Sequence, residues 1–278
     1  CFGRHVDHDR VLILVHGAWP GGGRLAGGLS SARGLRCGLS SDGRREGSLR
    51  LHQIAAVHFQ SEYQRKQLET QYALWQVPAD KMHVICGAFD LFNHPFQPTP
   101  RDGRQFTIGR LTRAHPQKYH EQFWPMLKAV AEGCPDIAVK IMAWGKTVNA
   151  LMGPPPAWAK CMPENAMPAA EFLSECHAMF AMNSPWCVEN WPRVGLEAMA
   201  SGVPVVADAS GGWSEMIDDG QTGILCDIPL AFSHSLLRLA NDESLRQSLI
   251  ANARASVERM SNPEVLGKQW ERLFAMVD

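Results

Sequence analysis

Net charge is almost absent from this sequence. Its 27 Lys and Arg stand against 28 Asp and Glu, leaving −1 at pH 7. No strong field therefore points to nucleic acid or to an acidic membrane. No apolar run approaches the roughly 18 residues of a membrane span, and no signal peptide is visible. No Gly-x-Gly-x-x-Gly follows a strand, which argues against a dinucleotide-binding dehydrogenase. The eight cysteines, at positions 1, 37, 86, 134, 161, 176, 187 and 226, include no Cys-x-x-Cys pair. Several lie in apolar segments such as Val84-Ile85-Cys86. They read as reduced, packed thiols of a cytoplasmic protein rather than a zinc site or a disulfide framework.

What is present suits two modest globular domains: 278 residues, 45% of them hydrophobic. The chain begins at Cys1 rather than Met, which suggests a fragment. Residues 11–15 form a short apolar run expected as a buried parallel strand. Residues 16–50 are dense in Gly, Ser and Arg without helical or strand periodicity, and read as low-complexity sequence. Within them, residues 20–24 (PGGGR) have the glycines of an anion-cradling loop but lack the apolar helix that should follow. His16, alone after a strand, reads as structural.

Order returns with a strand at 54–59. A Ser61/Gln64 capping signature opens a helix running to about Trp75, and a strand follows at 82–86. Residues 91–103, rich in Pro and Asn, read as a linker. Beyond it, strands at 105–108, 137–142, 178–182 and 203–207 alternate with helices near 125–133, 167–176 and 193–201. The tail reads as helices at 230–241, 243–260 and 263–277. Such alternation argues a parallel, doubly wound sheet, whose ligands bind outside the carboxyl ends of the strands. Arg110, Glu189 and Gly211 each follow a predicted strand and should gather on one edge.

The chain is organised around residues 189–212, ENWPRVGLEAMASGVPVVADASGG. Helical spacing alone does not bring Glu189 and Glu197 together, but a loop can fold the first over the helix mouth. Two carboxylates beside a helix N-terminus suit the hydroxyls and the diphosphate of a nucleotide sugar. The bland alternative is a solvated first-turn glutamate favoured by the dipole. The aromatic residues Trp144, Trp158 and Trp186 offer stacking faces for a base, although aromatics near strand ends more often belong to cores.

The E-x7-E pair, followed by AMASGVPVVA, the Gly211-Gly212 pair, Glu215 and DGQTGIL, resembles the retaining group 1 (family 4) glycosyltransferases. These motifs cover most of residues 106–226. Residues 58–90 resemble the end of that family's N-terminal domain, with Cys86-Gly87-Ala88-Phe89-Asp90 at its N-G-V-D-like turn. The resemblance implies a GT-B fold: an incomplete N-terminal Rossmann-like domain over 1–103, a donor-binding Rossmann-like domain over 104–262, and a C-terminal crossover helix over 263–278. In that helix Trp270 and Phe274 would bury against the N-terminal domain.

The family holds the donor diphosphate with an Arg and a Lys, positions occupied here by Gly109-Arg110 and Lys118. Carried over, Glu189 binds the donor sugar and Glu197 the ribose. Trp191-Pro192-Arg193 replaces the usual F-G-L-like stretch. There proline removes a backbone donor, and Arg193 stands in as a cation, with Val194 beside it. Gly211 and Gly212 let the backbone approach the ligand, and Glu215 caps the next helix. Arg110 and Lys118 would stabilise the charge on the departing diphosphate, so no metal and no cofactor is expected.

The resemblance thus implies a retaining transferase acting on a nucleotide diphosphate sugar. Donor base, sugar and acceptor (sugar, lipid or protein) stay open, as does peripheral membrane association. Two alternatives stand beside it: a nucleotide-sugar-binding fragment without activity, and a GT-B nucleotide-sugar epimerase, whose catalytic acid and base are not evident in the N-terminal half.

Overall fold

The computed structural model describes residues 11–14, 54–103 and 105–276. His16, the 20–24 glycine loop, the low-complexity stretch 16–50, Cys1 and Cys37 lie outside these residues. The chain divides into two compact units, one formed by Cys1–Ala88 with Asn262–Asp278 and the other by Phe89–Ser261.

In the first unit, β1 (Val11–Leu14), β2 (Ile54–Phe59) and β3 (Met82–Val84) pair in parallel in the order β1-β2-β3. β2 is buried at every position, as a strand covered on both faces must be. Helix α1 (Glu62–Leu74) begins where the Ser61 hydroxyl accepts the Gln64 N–H at 3.1 Å. The Gln64 side chain in turn accepts the Gln60 N–H at 2.8 Å, a capping box displaced by one residue. The last helix, α9 (Pro263–Ala275), is capped by Asn262 and belongs to this unit. Its anchors are Leu266 and Leu273, packed with Ala56 and Ile85. Of the expected Trp270–Phe274 pair, Trp270 is half-buried against this cluster with its ring 4.6 Å from that of His58, whereas Phe274 departs from the expectation. Phe274 is 48% exposed, because positions 266 and 273, two turns apart, define the inward stripe.

The second unit holds β4 (Phe106–Leu111), α2 (Phe123–Gly133), β5 (Ile137–Met142), α3 (Lys146–Met152), β6 (Ala159–Met162) and α4 (Ala169–Ser174). These are followed by β7 (Ala178–Ala181), α5 (Arg193–Ser201), β8 (Val205–Asp208), α6 (Trp213–Met216), β9 (Ile224–Cys226), α7 (Pro229–Asn241) and α8 (Glu243–Met260). The six strands are all parallel, in the order β6-β5-β4-β7-β8-β9. α3, β6 and β9 go beyond the elements expected from sequence.

Two cores flank this sheet. Along β8, Val205 and Ala207 enter one core with Leu196 and Trp213, while Val206 enters the other with Phe123 and Leu236. That alternation is why the strand reads as a continuous apolar run. The stretch expected as a linker packs within this unit. The Thr99 hydroxyl lies 2.9 Å from both the Ser174 and Cys176 carbonyls, and the Gln97 N–H donates to Ser201 O at 3.2 Å.

Candidate functional site

The strand order reverses between β4 and β7: the chain winds outward from β4 through β5 to β6, then returns to β7 and proceeds the other way. Doubly wound sheets place their ligands at such a switch point, beyond the carboxyl ends of the strands. Here Arg110 is the last residue but one of β4, Asn183 lies two residues beyond β7, and β8 ends at Asp208.

Arg110 does not face solvent. It is 1% exposed, with its guanidinium carbon 5.2, 5.6 and 5.4 Å from the ring centroids of Tyr119, Phe123 and Phe180. It donates to the Lys118 carbonyl, to Asn183 Oδ1 at 3.1 Å and to the Phe180 carbonyl at 3.4 Å. Burial lowers its pKa, opposed by nearby Tyr119, Asp208 and Glu189. Instead of reaching outward, the side chain ties the loop after β4 to the ends of β4 and β7.

That loop presents Lys118. A 3₁₀ turn over Pro116–Lys118 opens where the His115 ring accepts the Gln117 N–H at 3.3 Å. The Lys118 ammonium pairs with Glu189, and both side chains remain partly accessible, at 18% and 24%. Asn183 Nδ2 donates to the same carboxylate at 3.3 Å. Asn183 therefore bridges Arg110 and Glu189, and its own N–H donates to Asp208 Oδ2 at 3.0 Å. The Asp208 carboxyl is pushed up to about 7, chiefly by burial, with Arg110 and Lys118 pulling the other way. Burial also raises the Cys187 thiol, with the Lys118 ammonium opposing the rise. Asn183, Asp208 and Cys187 were not singled out from the sequence. The signal existed for the first two, since each directly follows a predicted strand, as Arg110 does.

Glu197 lies apart from this cluster in its partners. On α5 it pairs with Arg193 one turn earlier, at 3.3 Å, with 16% of its side chain exposed against 70% for Arg193. Burial raises its pKa and Arg193 opposes the rise. Each glutamate of the E-x7-E pair thus has its own cation. Val194 is half-buried and packs toward the core containing Leu196 and Trp213.

The glycines each have a structural reason within the chain. Gly109 lies on β4 beneath α4, where a Cβ would collide with Cys176 Sγ and lie 3.1 Å from Phe172. Gly211 has φ +59°, which favours glycine. A Cβ there would sit 2.5 Å from the Glu189 carbonyl oxygen, and one on Gly212 would overlap the Asn190 carbonyl. The Gly212 N–H donates to Glu189 O at 2.7 Å. The glycine pair thus lets the β8–α6 turn close on the backbone that carries Glu189. Glu215 lies in the first turn of α6, whose N-cap residue, Gly212, has no side chain.

Of the three tryptophans, Trp144 packs edge-on to Tyr119 at 5.5 Å and Trp158 edge-on to Trp124 at 5.9 Å. Trp186 is 72% exposed in the loop between Asn183 and Glu189. The six described cysteines are free thiols. Among the described residues no helix is long and apolar enough to cross a membrane.

Residues 167–256, which span α4 through most of α8 and include Glu189, Glu197 and Asp208, match the family model for glycosyl transferases group 1. An N-acetyl-alpha-D-glucosaminyl L-malate synthase from Bacillus anthracis is 32% identical over 107 residues, 38% of this chain and 27% of that protein. A D-inositol 3-phosphate glycosyltransferase from Corynebacterium diphtheriae is 35% identical over 97 residues, 34% of this chain and 22% of that one. The matched stretch is thus about a quarter of these relatives' length. Among solved structures, Anabaena HepE in complex with UDP and glucose aligns with TM-score 0.65 at 18% identity, over 82% of this chain and 64% of that one. The sucrose-phosphate synthase of Thermosynechococcus elongatus aligns with TM-score 0.62 at 20% identity, over 81% and 60%. Residues 167–256 thus match the group 1 glycosyl transferases in sequence, and the chain's α/β fold is similar to that of these solved structures.

Proposed function

We propose that this chain is the donor-binding part of a retaining glycosyltransferase that takes a nucleotide diphosphate sugar. The observation that carries the reading is the Lys118–Glu189 pair, partly accessible and held at the switch point of a doubly wound sheet. An ammonium there can donate to a diphosphate oxygen in place of the carboxylate, and the carboxylate so released can accept from sugar hydroxyls. Both groups are already in place, so their reorganisation on binding is small.

In this reading Lys118 binds the diphosphate, Glu189 the donor sugar and Glu197 the ribose, with Arg193 exchanging its glutamate partner for phosphate. Arg110 acts through Lys118: it holds the carbonyl of that residue and directs Asn183 toward Glu189. As the leaving diphosphate gains charge, Lys118 is the cation next to it. Solved relatives of the fold have been captured with UDP and UDP-glucose, which supports a nucleotide-sugar donor here.

The test is calorimetric titration of the chain with UDP, GDP and their common sugars, followed by a hydrolysis assay on the same sample. Binding is expected, with Glu189→Ala weakening the sugar nucleotide more than the free nucleotide. Equal loss for UDP and UDP-sugar would remove Glu189 from the sugar. Failure of every nucleotide to bind would overturn the donor-site reading. Binding without turnover would favour a nucleotide-sugar-binding module.

A further inference from the structure

The donor-site roles leave one half-buried carboxyl, that of Asp208, unused. Asp208 ends β8 at the edge where the donor would sit, and its Oδ2 accepts the Asn183 N–H at 3.0 Å. The ionisable groups that act on it come from every side of the cluster. They are Arg110 on β4, Lys118 in the 3₁₀ turn and Glu189 in the loop before α5, with the Cys226 thiol of β9 on the neighbouring strand. Counted as ions, two cations (Arg110 and Lys118) face two carboxylates (Glu189 and Asp208), so the site sums to zero. A neutral site offers a diphosphate no net attraction. With a proton on Asp208 the same site carries +1.

We propose that Asp208 is a positioning residue of the donor site that takes up a proton when the diphosphate binds. Asp208 acts through Asn183. Its Oδ2 fixes the backbone of the residue whose side chain bridges Arg110 and Glu189. The proton comes from solvent and goes to the other carboxyl oxygen, so the Asn183 N–H keeps its acceptor and the bridge stays in place while the charge changes. Burial already holds this carboxyl near half-ionisation at neutral pH, at about 7, so a nearby anion need shift it only modestly. The inference rests on the donor-site reading.

The experiment is calorimetry of the full chain with UDP-glucose, UDP-N-acetylglucosamine and GDP-mannose, whose diphosphate diesters do not titrate near neutrality. Any that binds is then titrated at pH 7.5 in phosphate and in Tris, whose ionisation enthalpies differ. A tenfold tighter hold on the proton in the complex gives an uptake of about 0.5 proton per site at pH 7.5 and a Kd that rises about fivefold from pH 6 to pH 8. In Asp208→Asn, which keeps an oxygen for the Asn183 N–H, the uptake should vanish and the Kd profile should flatten. Binding with no proton uptake in the wild-type chain overturns the inference and leaves the donor site standing. Uptake that persists in Asp208→Asn assigns the proton elsewhere and also overturns it. If none of the three nucleotides binds, the donor-site reading falls and this inference with it.

Discussion

Replacing Arg110 with methionine separates two roles that a phosphate-binding arginine and a buried arginine would share in a sequence motif. Methionine fills a similar volume among Tyr119, Phe123 and Phe180 but leaves three acceptors without their donor: the Lys118 and Phe180 carbonyls and Asn183 Oδ1. Orphaned acceptors cost about 1–3 kcal/mol each, and three guanidinium–ring contacts add a smaller loss. Against this, the folded state no longer has to desolvate a guanidinium, which returns several kcal/mol. The balance is a net destabilisation of about 2–4 kcal/mol, because two of the lost bonds, to the Phe180 carbonyl and to Asn183 Oδ1, are buried away from water. The loop carrying Lys118 loses its tie, so affinity for a sugar nucleotide should fall at least tenfold, or about 1.4 kcal/mol.

Urea denaturation of both proteins, alongside calorimetric titration, reads the two effects separately. A variant as stable as the parent that nonetheless lost its nucleotide would refute the reasoning. Arg110 would then be a ligand group that turns outward on binding rather than an internal brace.

Lys118→Met should do the opposite, shifting stability by no more than about 1 kcal/mol, as a partly exposed ion pair allows, while abolishing measurable nucleotide binding by calorimetry. Gly212→Ala must push the β8–α6 turn off the Asn190 carbonyl and break the 2.7 Å bond to Glu189 O. A destabilisation of about 2–3 kcal/mol in urea titration, together with weaker donor binding, is expected. Leu249→Ala, at a fully buried position of the core with Phe123 and Leu236, should cost about 3 kcal/mol with donor affinity unchanged, a control for global loosening. Stability should also depend on Asp208. The unfolded carboxyl loses its proton at about 3.8, whereas the folded one keeps it to about 7. Stability therefore falls as pH rises through that window, by up to about 4 kcal/mol, and urea midpoints of Asp208→Asn at pH 5 and pH 8 should show that slope removed.

Much of the larger unit was legible because its signals are local. The strand over Ile137–Met142 was expected at those bounds, and the helix at Arg193–Ser201 was anticipated from its start and from the turn at Gly202, which has φ +83°. Covered strands must be apolar throughout, and a left-handed helix stop calls for glycine, so chain neighbours alone carry that information. The weaker elements, α3, β6 and β9, are runs of only seven, four and three residues. Their state is set by the neighbours they pair with.

For the candidate site, the sequence by itself determined which residues lie at strand ends or in the loops that leave them: Arg110, Glu189, Gly211 and, unremarked, Asn183 and Asp208. Strand order then brings such positions to one edge. Only the tertiary structure decided which of them face outward. Arg110 turns inward because three aromatic rings and three acceptors from β7 and its own loop surround it. Gly211 and Gly212 meet the protein's backbone at Glu189 and Asn190. Glu197 pairs along its helix, whereas Glu189 pairs across the fold with Lys118, 71 residues away. Orientation and burial depend on contacts between segments far apart in the chain, and a motif read along one segment does not contain them.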